Sequence, residues 1–331
     1  LKKYLVIQTA SIGDVILSTA LGESLKNNDA YCRVDYFVRK GNESIFFGNK
    51  KVNKLFVWDK KNNKYKNLYK LLKLIQKERY DEIFNLQRFA STGFLTIFAG
   101  ANKTNGYKKN PLSLFYSKRF QHKYSTDWHE TDRNHQLIEH ITGPKKSLPK
   151  LYPSKNEFAR VSVYKTKAYI TISPASLWYT KQFPKEKWVE FIKLLPKGLH
   201  VYFLGSAEDK VFCDLLIDQS GHKNSINFAG KFTIAESAAL MRDALMNFVN
   251  DSAAQHIASS MNAKTTSIFC STVTSFGFGP LSDDAIVVET EEKLECRPCG
   301  LHGHHSCPEK HFKCALNIDT KRLLKRIDYA S

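Results

Sequence analysis

Residues 4–26 read YLVIQTASIGDVILSTALGESLK. The run Leu5-Val6-Ile7 predicts a buried strand, and it stops at a polar turn holding Ser11, Gly13 and Asp14. A helical pattern begins at once, with Val15, Ile16, Thr19, Ala20 and Leu25 on spacings that suit one buried face. Strand, glycine-containing turn and helix is the unit by which an α/β sheet presents ligand-binding groups at the carboxyl ends of its strands. Phosphate-binding versions of this turn carry more glycine, whereas this one carries a carboxylate. Asp14 therefore has two readings, a helix N-cap or a base aimed at a substrate.

The alternation continues outward from this unit. Strands are expected at residues 5–8, 33–38, 54–58 and 82–86, and helices at 15–27, 65–79, 92–99 and 132–141. The segment TGPKKSLPKLYPS (142–154) has three prolines and no periodicity, and reads as a linker. Beyond it the pattern resumes, with strands at 168–173, 200–204, 246–250 and 265–269 and helices at 185–194, 207–219, 234–242 and 252–260. Two such arrays predict an α/β fold of two Rossmann-like domains, 1–150 and 151–331, facing each other across a cleft. A last helical pattern at 320–329 is expected to pack back on the first domain.

A chain of 331 residues with 42% hydrophobic and 12% aromatic content can bury two cores and is not a disordered polymer. No apolar run is long enough to span a bilayer and no signal-peptide pattern opens the chain, so a cytoplasmic location is expected. The net charge of +18, from 50 Lys+Arg against 32 Asp+Glu, calls for anionic partners. These charges are spread over both halves. No zinc-finger, RNA-recognition or helix-turn-helix signature accompanies them, which argues against nucleic acid. An anionic membrane surface or a phosphorylated glycolipid fits a diffuse basic coat better. Helix 65–79 places Leu68, Leu71, Leu72 and Ile75 on one stripe and Lys66, Lys70, Lys73 and Lys77 elsewhere. That is the pattern of a solvated charged face, which is favoured over a dedicated membrane-binding element.

Two stretches of the second half carry polar groups at strand ends. In TISPASLWYTKQFPKEKW (171–188) a strand ends at Ser173-Pro174, and a loop with Ser176, Thr180 and Lys181 leads to a helix starting near Pro184. Lys181 could neutralise a diphosphate or be an ordinary solvated charge. In the second stretch, strand 246–250 runs into Asp251-Ser252 and a helix of small residues carrying His256. Asp251 or Ser252 caps that helix, whose N-terminal amides form an anion site. The tail spaces its cysteines as Cys296-x2-Cys299-x7-Cys307-x6-Cys314 among four histidines, a pattern that can form a structural zinc site. Cys32, Cys213 and Cys270 read as small buried residues.

SIGDVILSTAL (11–21), SPASLWYTKQFPKEKW (173–188) and the FAGK…NDSAAQHIA run (228–258) occur in an order and spacing that resemble glycosyltransferase family 9, the lipopolysaccharide heptosyltransferases. The Asp132-Arg133-Asn134 helix start and the Cys-rich tail extend the likeness over nearly the whole chain, the tail being similar to the heptosyltransferase II-like branch. The resemblance implies a GT-B fold, with the acceptor bound mainly by the first domain and the nucleotide sugar mainly by the second. It implies that Asp14 is the catalytic base beside Gly13, and that Lys181 in the loop with Ser176 and Thr180 contacts the donor diphosphate or sugar. Asp251 would bind the donor sugar's hydroxyls, with Ser252 and His256 completing the motif. Gln8 stands where many members have Arg, Ala20 where Pro is usual, Ala253 where Gly is usual and Phe183 where Trp is common. Cys270-Ser271-Thr272 replaces a typical Gly-Pro-Thr.

The implied activity is inverting, metal-independent transfer of heptose from ADP-heptose to a lipopolysaccharide core acceptor, with no catalytic cofactor. It would take place at the cytoplasmic face of the inner membrane, with the enzyme held there peripherally. The chain lacks the Asp-x-Asp motif that anchors a metal–diphosphate in the other major glycosyltransferase fold. A sugar-nucleotide epimerase of the same fold and a catalytically degenerate binding module are the alternatives.

Overall fold

The computed structural model describes residues 1–124 and 128–327. The chain divides into two compact units, Leu1–Tyr152 and Pro153–Ser331, against an expected boundary after residue 150. Each unit is a parallel six-stranded sheet with helices, so the α/β class expected from the alternation is observed.

The first unit runs β1 (Lys3–Ile7), α1 (Ile12–Asn28), β2 (Arg33–Arg39), β3 (Lys54–Trp58), α2 (Lys64–Glu78), β4 (Glu82–Asn85), α3 (Ala90–Phe98), β5 (Lys103–Tyr107), β6 (Lys118–Phe120), α4 (Glu130–His135) and α5 (Glu139–Thr142). Its strand order is β3-β2-β1-β4-β5-β6. β1 lies in the middle of the sheet, in register with β2 through Leu5–Asp35 and with β4 through Leu5–Ile83. This position explains why Leu5, Val6 and Ile7 are fully buried, since a central parallel strand is covered on both faces. The order reverses between β1 and β4, which makes the carboxyl end of β1 a topological switch point.

α1 is buried along nearly its whole length, including polar Ser18, Thr19, Glu23 and Ser24. Ser18 bonds within the helix, to Val15 O, and the segment expected to be a linker supplies partners for the other three. The Ser147 amide donates to Ser24 Oγ (2.9 Å), the Lys150 amide to Thr19 Oγ1 (3.0 Å) and the Tyr152 hydroxyl to Glu23 Oε1 (2.7 Å). The proline-rich stretch is therefore laid along α1, because the buried polar groups there require hydrogen bonds.

The second unit runs α6 (Lys155–Ser162), β7 (Tyr169–Ser173), α7 (Lys185–Lys193), β8 (His200–Phe203), α8 (Lys210–Ser220), β9 (Ser225–Asn227), α9 (Ile234–Arg242), β10 (Asn247–Asn250), α10 (Ala253–Ser260), β11 (Thr265–Phe269), β12 (Ala285–Glu289), α11 (Lys313–Leu316) and α12 (Lys321–Leu324). Its order is β12-β11-β10-β7-β8-β9, with the reversal between β7 and β10. The terminal helix is shorter than the expected 320–329, whose last two residues lie outside the described ones. α12 belongs to the second unit: Leu323 is buried and Leu324 packs in a core shared with Trp188, Phe191 and Phe248. The two leucines thus find their apolar partners on α7 and the second sheet. Cys32, Cys213 and Cys270 are fully buried, as expected. No described helix is long and apolar enough to cross a membrane.

Candidate active site

In the first unit the turn after β1 places Asp14. Ser11, not Asp14, is the N-cap of α1. The Ser11 side chain accepts from the Asp14 amide (3.5 Å), and the Ser11 amide donates to Asp14 Oδ2 (3.2 Å), forming a capping box. Asp14 is therefore one turn inside the helix, with Gly13 buried beside it. The turn is braced from two sides. Asn42 Nδ2 donates to Ala10 O (2.9 Å), and Lys60 Nζ donates to both the carbonyl and the hydroxyl of Thr9 (3.1 Å each). Gln8 pairs its buried side-chain amide with Gln87.

Burial raises the Asp14 carboxyl above its ordinary value. The Ser11 hydroxyl opposes the rise, Glu130 adds to it, and Lys109 works with Ser11 to limit it. Burial pushes Lys109 down to about 8, with Glu130 and Asp14 holding it up. Burial would also raise Glu130, but a hydrogen bond to His122 (3.0 Å) and the charges of His122 and Arg133 outweigh it and bring the carboxyl down. Arg133 Nε donates to Glu130 Oε2 at 2.8 Å. Asp14 thus belongs to a set of alternating charges that local pattern does not announce. Lys109 and Glu130 escape a reading by motif, although His129-Glu130-Thr131-Asp132 forms a capping box at the start of α4.

In the second unit the loops after β7, β10 and β11 meet at the switch point. Lys181 Nζ pairs with Asp251 Oδ2 at 2.6 Å, with both side chains largely buried. Thr272 Oγ1 donates to the same carboxylate oxygen at 2.7 Å, and Ser271 Oγ donates to Thr180 Oγ1 at 3.1 Å. The Cys270-Ser271-Thr272 departure therefore supplies two hydroxyls that tie the Lys181 and Asp251 loops to β11. Asn250, the last residue of β10, fixes the β7 loop: its Oδ1 accepts from the Phe183 amide (3.0 Å) and its Nδ2 donates to Pro174 O (2.7 Å). Phe183 is buried edge-on against Trp188, with ring centroids 5.2 Å apart.

Ser252 is the N-cap of α10, but its side chain makes no capping bond. His256 is buried one turn further along the helix. Ser176 sits in the β7 loop, its hydroxyl 3.5 Å from Asp251 O. Pro184 is the N-cap of α7 rather than its first helical residue. The structure brings Ser176, Thr180, Lys181, Asp251 and Ser252 together within one unit, and places Asp14 and Gly13 in the other.

The tail forms one wall of this second site. The Thr180 amide donates to His304 O (3.1 Å), and the His304 amide donates to Thr180 Oγ1 (2.8 Å). Arg297 donates to Cys270 O and Thr272 O at 2.8 Å each, and the Cys299 amide donates to Ser271 O at 2.8 Å. Among the described residues, no three or more His, Cys, Asp or Glu side chains group closely enough to hold a metal ion. Cys314 instead joins the apolar core beside Phe312 and Ala315, and Cys296 Sγ lies 3.9 Å from His311 Nε2.

The chain is 22% identical over 293 residues to lipopolysaccharide heptosyltransferase 1 of Campylobacter coli, covering 82% of this chain and 84% of that protein. A glycosyltransferase family 9 structure from Veillonella parvula superposes with a TM-score of 0.86 at 22% identity, covering 98% of this chain and 96% of that one. The Escherichia coli ADP-heptose lipopolysaccharide heptosyltransferase II superposes with a TM-score of 0.80 at 18% identity, covering 98% and 97%. Both likenesses show that the fold is of the GT-B type. The description "Glycosyltransferase family 9 (heptosyltransferase)" matches residues 68–309, a span that contains Lys181 and Asp251 and begins downstream of Asp14. With a match over most of its length, the chain belongs to glycosyltransferase family 9 and is a glycosyltransferase.

Proposed function

We propose that this enzyme transfers heptose from ADP-heptose to a lipopolysaccharide core acceptor, with inversion at the anomeric carbon and without a catalytic metal. The observation that carries the reading is the Lys181–Asp251 pair at the switch point of the second sheet, beside the N-terminus of α10. Opposite charges at this position suit a donor with a diphosphate at one end and hydroxyls at the other. Lys181 and the α10 amides near Ser252 take the diphosphate, and Asp251 accepts from the sugar's hydroxyls. Ser176 and Thr180 stand beside this pair, and the reading assigns His256 of α10 to the same subsite. The relatives' names, which include ADP-heptose and lipopolysaccharide, support this choice of donor and acceptor.

In the reaction an acceptor hydroxyl oxygen bonds to the anomeric carbon while its proton passes to the Asp14 carboxylate. The bond from that carbon to the β-phosphate oxygen breaks, and its electron pair leaves with ADP. A single displacement of this kind inverts the centre and needs one base and one cationic site for the leaving group. Lys181 and the helix dipole supply the latter, so no metal is required of the mechanism. The basic coat would hold the enzyme on the anionic cytoplasmic face of the inner membrane, where a glycolipid acceptor presents its sugars.

Calorimetric titration with ADP-, UDP- and GDP-sugars, followed by transfer assays with and without EDTA, tests the reading. Binding of ADP-heptose in preference to the others, and EDTA-insensitive transfer to a core acceptor with inverted configuration, is the expected result. Conversion of the nucleotide sugar without any acceptor would instead support an epimerase.

A further inference from the structure

The first unit holds a cavity of about 800 Å³ lined by Trp58, Lys60, Lys64, Tyr65, Tyr69 and Phe94, among others, where α2 and α3 meet the carboxyl ends of β3 and β4. An apolar helix stripe ordinarily disappears into the core, and Leu68, Leu72 and Ile75 of α2 do so. The rings beside that stripe do not. Tyr65 is 72% exposed and Tyr69 56%, and on α3 Phe94 and Phe98 are exposed with ring centroids 4.7 Å apart. Leu112 also lines the cavity, and Leu114 and Phe115 just beyond it are strongly exposed. The charged face of this helix is solvated, as expected, and carries open aromatic surface as well.

The charge on this face has one sign. α2 carries Lys64, Lys66, Lys70, Lys73 and Lys77, and among the described residues none of these pairs with a carboxylate. Its only acidic residue, Glu78, is committed to Arg33 and Lys54. Lys64 lies over the Tyr65 ring and Lys73 over the Tyr69 ring. Aromatic side chains with lysines and no facing carboxylates suit the headgroup–acyl boundary of an anionic bilayer, where rings sit at headgroup depth and ammonium groups reach lipid phosphates.

We infer that the α2–α3 face is the membrane-docking surface, with anionic phospholipid as the occupant of its groove. The inference rests on the membrane reading above and gives it a location. Lys60, on the groove wall, also holds the Thr9 carbonyl in the turn that leads to Asp14. Docking here therefore brings the carboxyl edge of the first sheet to the lipid surface.

The test is sedimentation of the full chain with vesicles of phosphatidylglycerol and phosphatidylcholine, or of phosphatidylcholine alone. Transfer to a delipidated, soluble core acceptor is measured in parallel. Anionic vesicles should bind at least about ten times more tightly than neutral ones, and added salt should weaken that binding. The double variant Tyr69→Ser/Phe94→Ser and the separate variant Lys66→Gln/Lys70→Gln should each lose roughly tenfold or more in vesicle binding. Both should keep the melting temperature and the soluble-acceptor rate, because these side chains are exposed. Full vesicle binding by both variants would overturn the assignment of this face. Absence of wild-type binding would overturn the membrane reading with it, while soluble-acceptor transfer judges the glycosyltransfer reading independently. Loss of a dimer in light scattering on Tyr69→Ser/Phe94→Ser, with vesicle binding unchanged, would make the face a self-association surface and also defeat the inference.

Discussion

Lys181 and Asp251 meet as a largely buried ion pair, Nζ to Oδ2 2.6 Å, although 70 positions separate them in the chain. Each comes from the loop after one of the two strands that flank the switch point. Under the proposed function the donor's two ends would have to compete with a contact the protein already makes. On the proposed reading, a diphosphate entering the site would exchange one anionic partner of Lys181 for another and release the Asp251 carboxylate to accept from sugar hydroxyls.

Lys181→Ala should weaken donor binding and slow transfer together, because the leaving group's charge grows in the transition state. Asp251→Ala should weaken binding of the intact donor while leaving free ADP affinity unchanged or higher, since Lys181 loses its internal competitor. Titration of both variants with ADP-heptose and with ADP separates the roles. Equal loss of both ligands on Asp251→Ala would remove sugar recognition from that residue.

Asp14→Asn should fold, bind donor normally and lose at least about a hundredfold in turnover, the scale expected for a missing general base. Asn retains an oxygen able to accept from the Ser11 amide, so the capping box can survive the change. Near-normal transfer by the folded variant would exclude Asp14 as the base.

The raised Asp14 carboxyl has two pH signatures. Transfer should fail on the acid side at a pH above the ordinary aspartate value, and Lys109→Met should move that limb higher still by removing a charge that favours the carboxylate. For stability the sign is opposite. The native state holds this proton more tightly than the unfolded chain, so the contribution is complete below the unfolded value of 3.8 and is lost as pH rises through the folded one. Asp14→Asn should therefore match or exceed wild-type stability at neutral pH. Urea midpoints measured across pH check this.

Gly303 has φ +74°, and a Cβ there would meet Thr180 Oγ1 at 2.8 Å and both Lys181 Cγ and Ser271 Oγ at 3.3 Å. Gly303→Ala should cost about 1–2 kcal/mol from the left-handed backbone alone. It should also push the tail away from the Thr180–Lys181 turn and weaken donor binding by roughly tenfold. Unchanged donor affinity would show that the tail is not a wall of the site.

The β1–α1 unit was legible because a β-branched run and a 3.6-residue pattern meet at a polar turn. β5 was not, since its sequence KTNGY offers no apolar run. Its fit depends on Gly106, where a Cβ would come within 2.6 Å of the Tyr116 ring, and on the bond from Asn105 to Glu82. β6 and β9 are three-residue edge strands with too little sequence to show a period. α6 left a readable trace, the Ser154–Glu157 capping box, inside and just past a segment whose prolines suggested only a linker. The expected helix 132–141 is two short helices, with Leu137 and Ile138 fully buried at the break. Lys181 and Asp251 were visible as strand-end residues. Their ion pair was not, because it depends on which strands become neighbours.

Arg297 reaches from the tail to the carbonyls of Cys270 and Thr272, and Thr272 in turn holds Asp251. The tail and the ends of β10 and β11 therefore cannot open separately without removing the Arg297 guanidinium from two carbonyls. In hydrogen exchange, the amides of His304 and Cys299 should acquire deuterium in step with that of Asp251. A chain that lost its last forty residues would lose both these ties to the Asp251 loop and the apolar cover that Phe312, Ala315 and Leu323 give the second sheet.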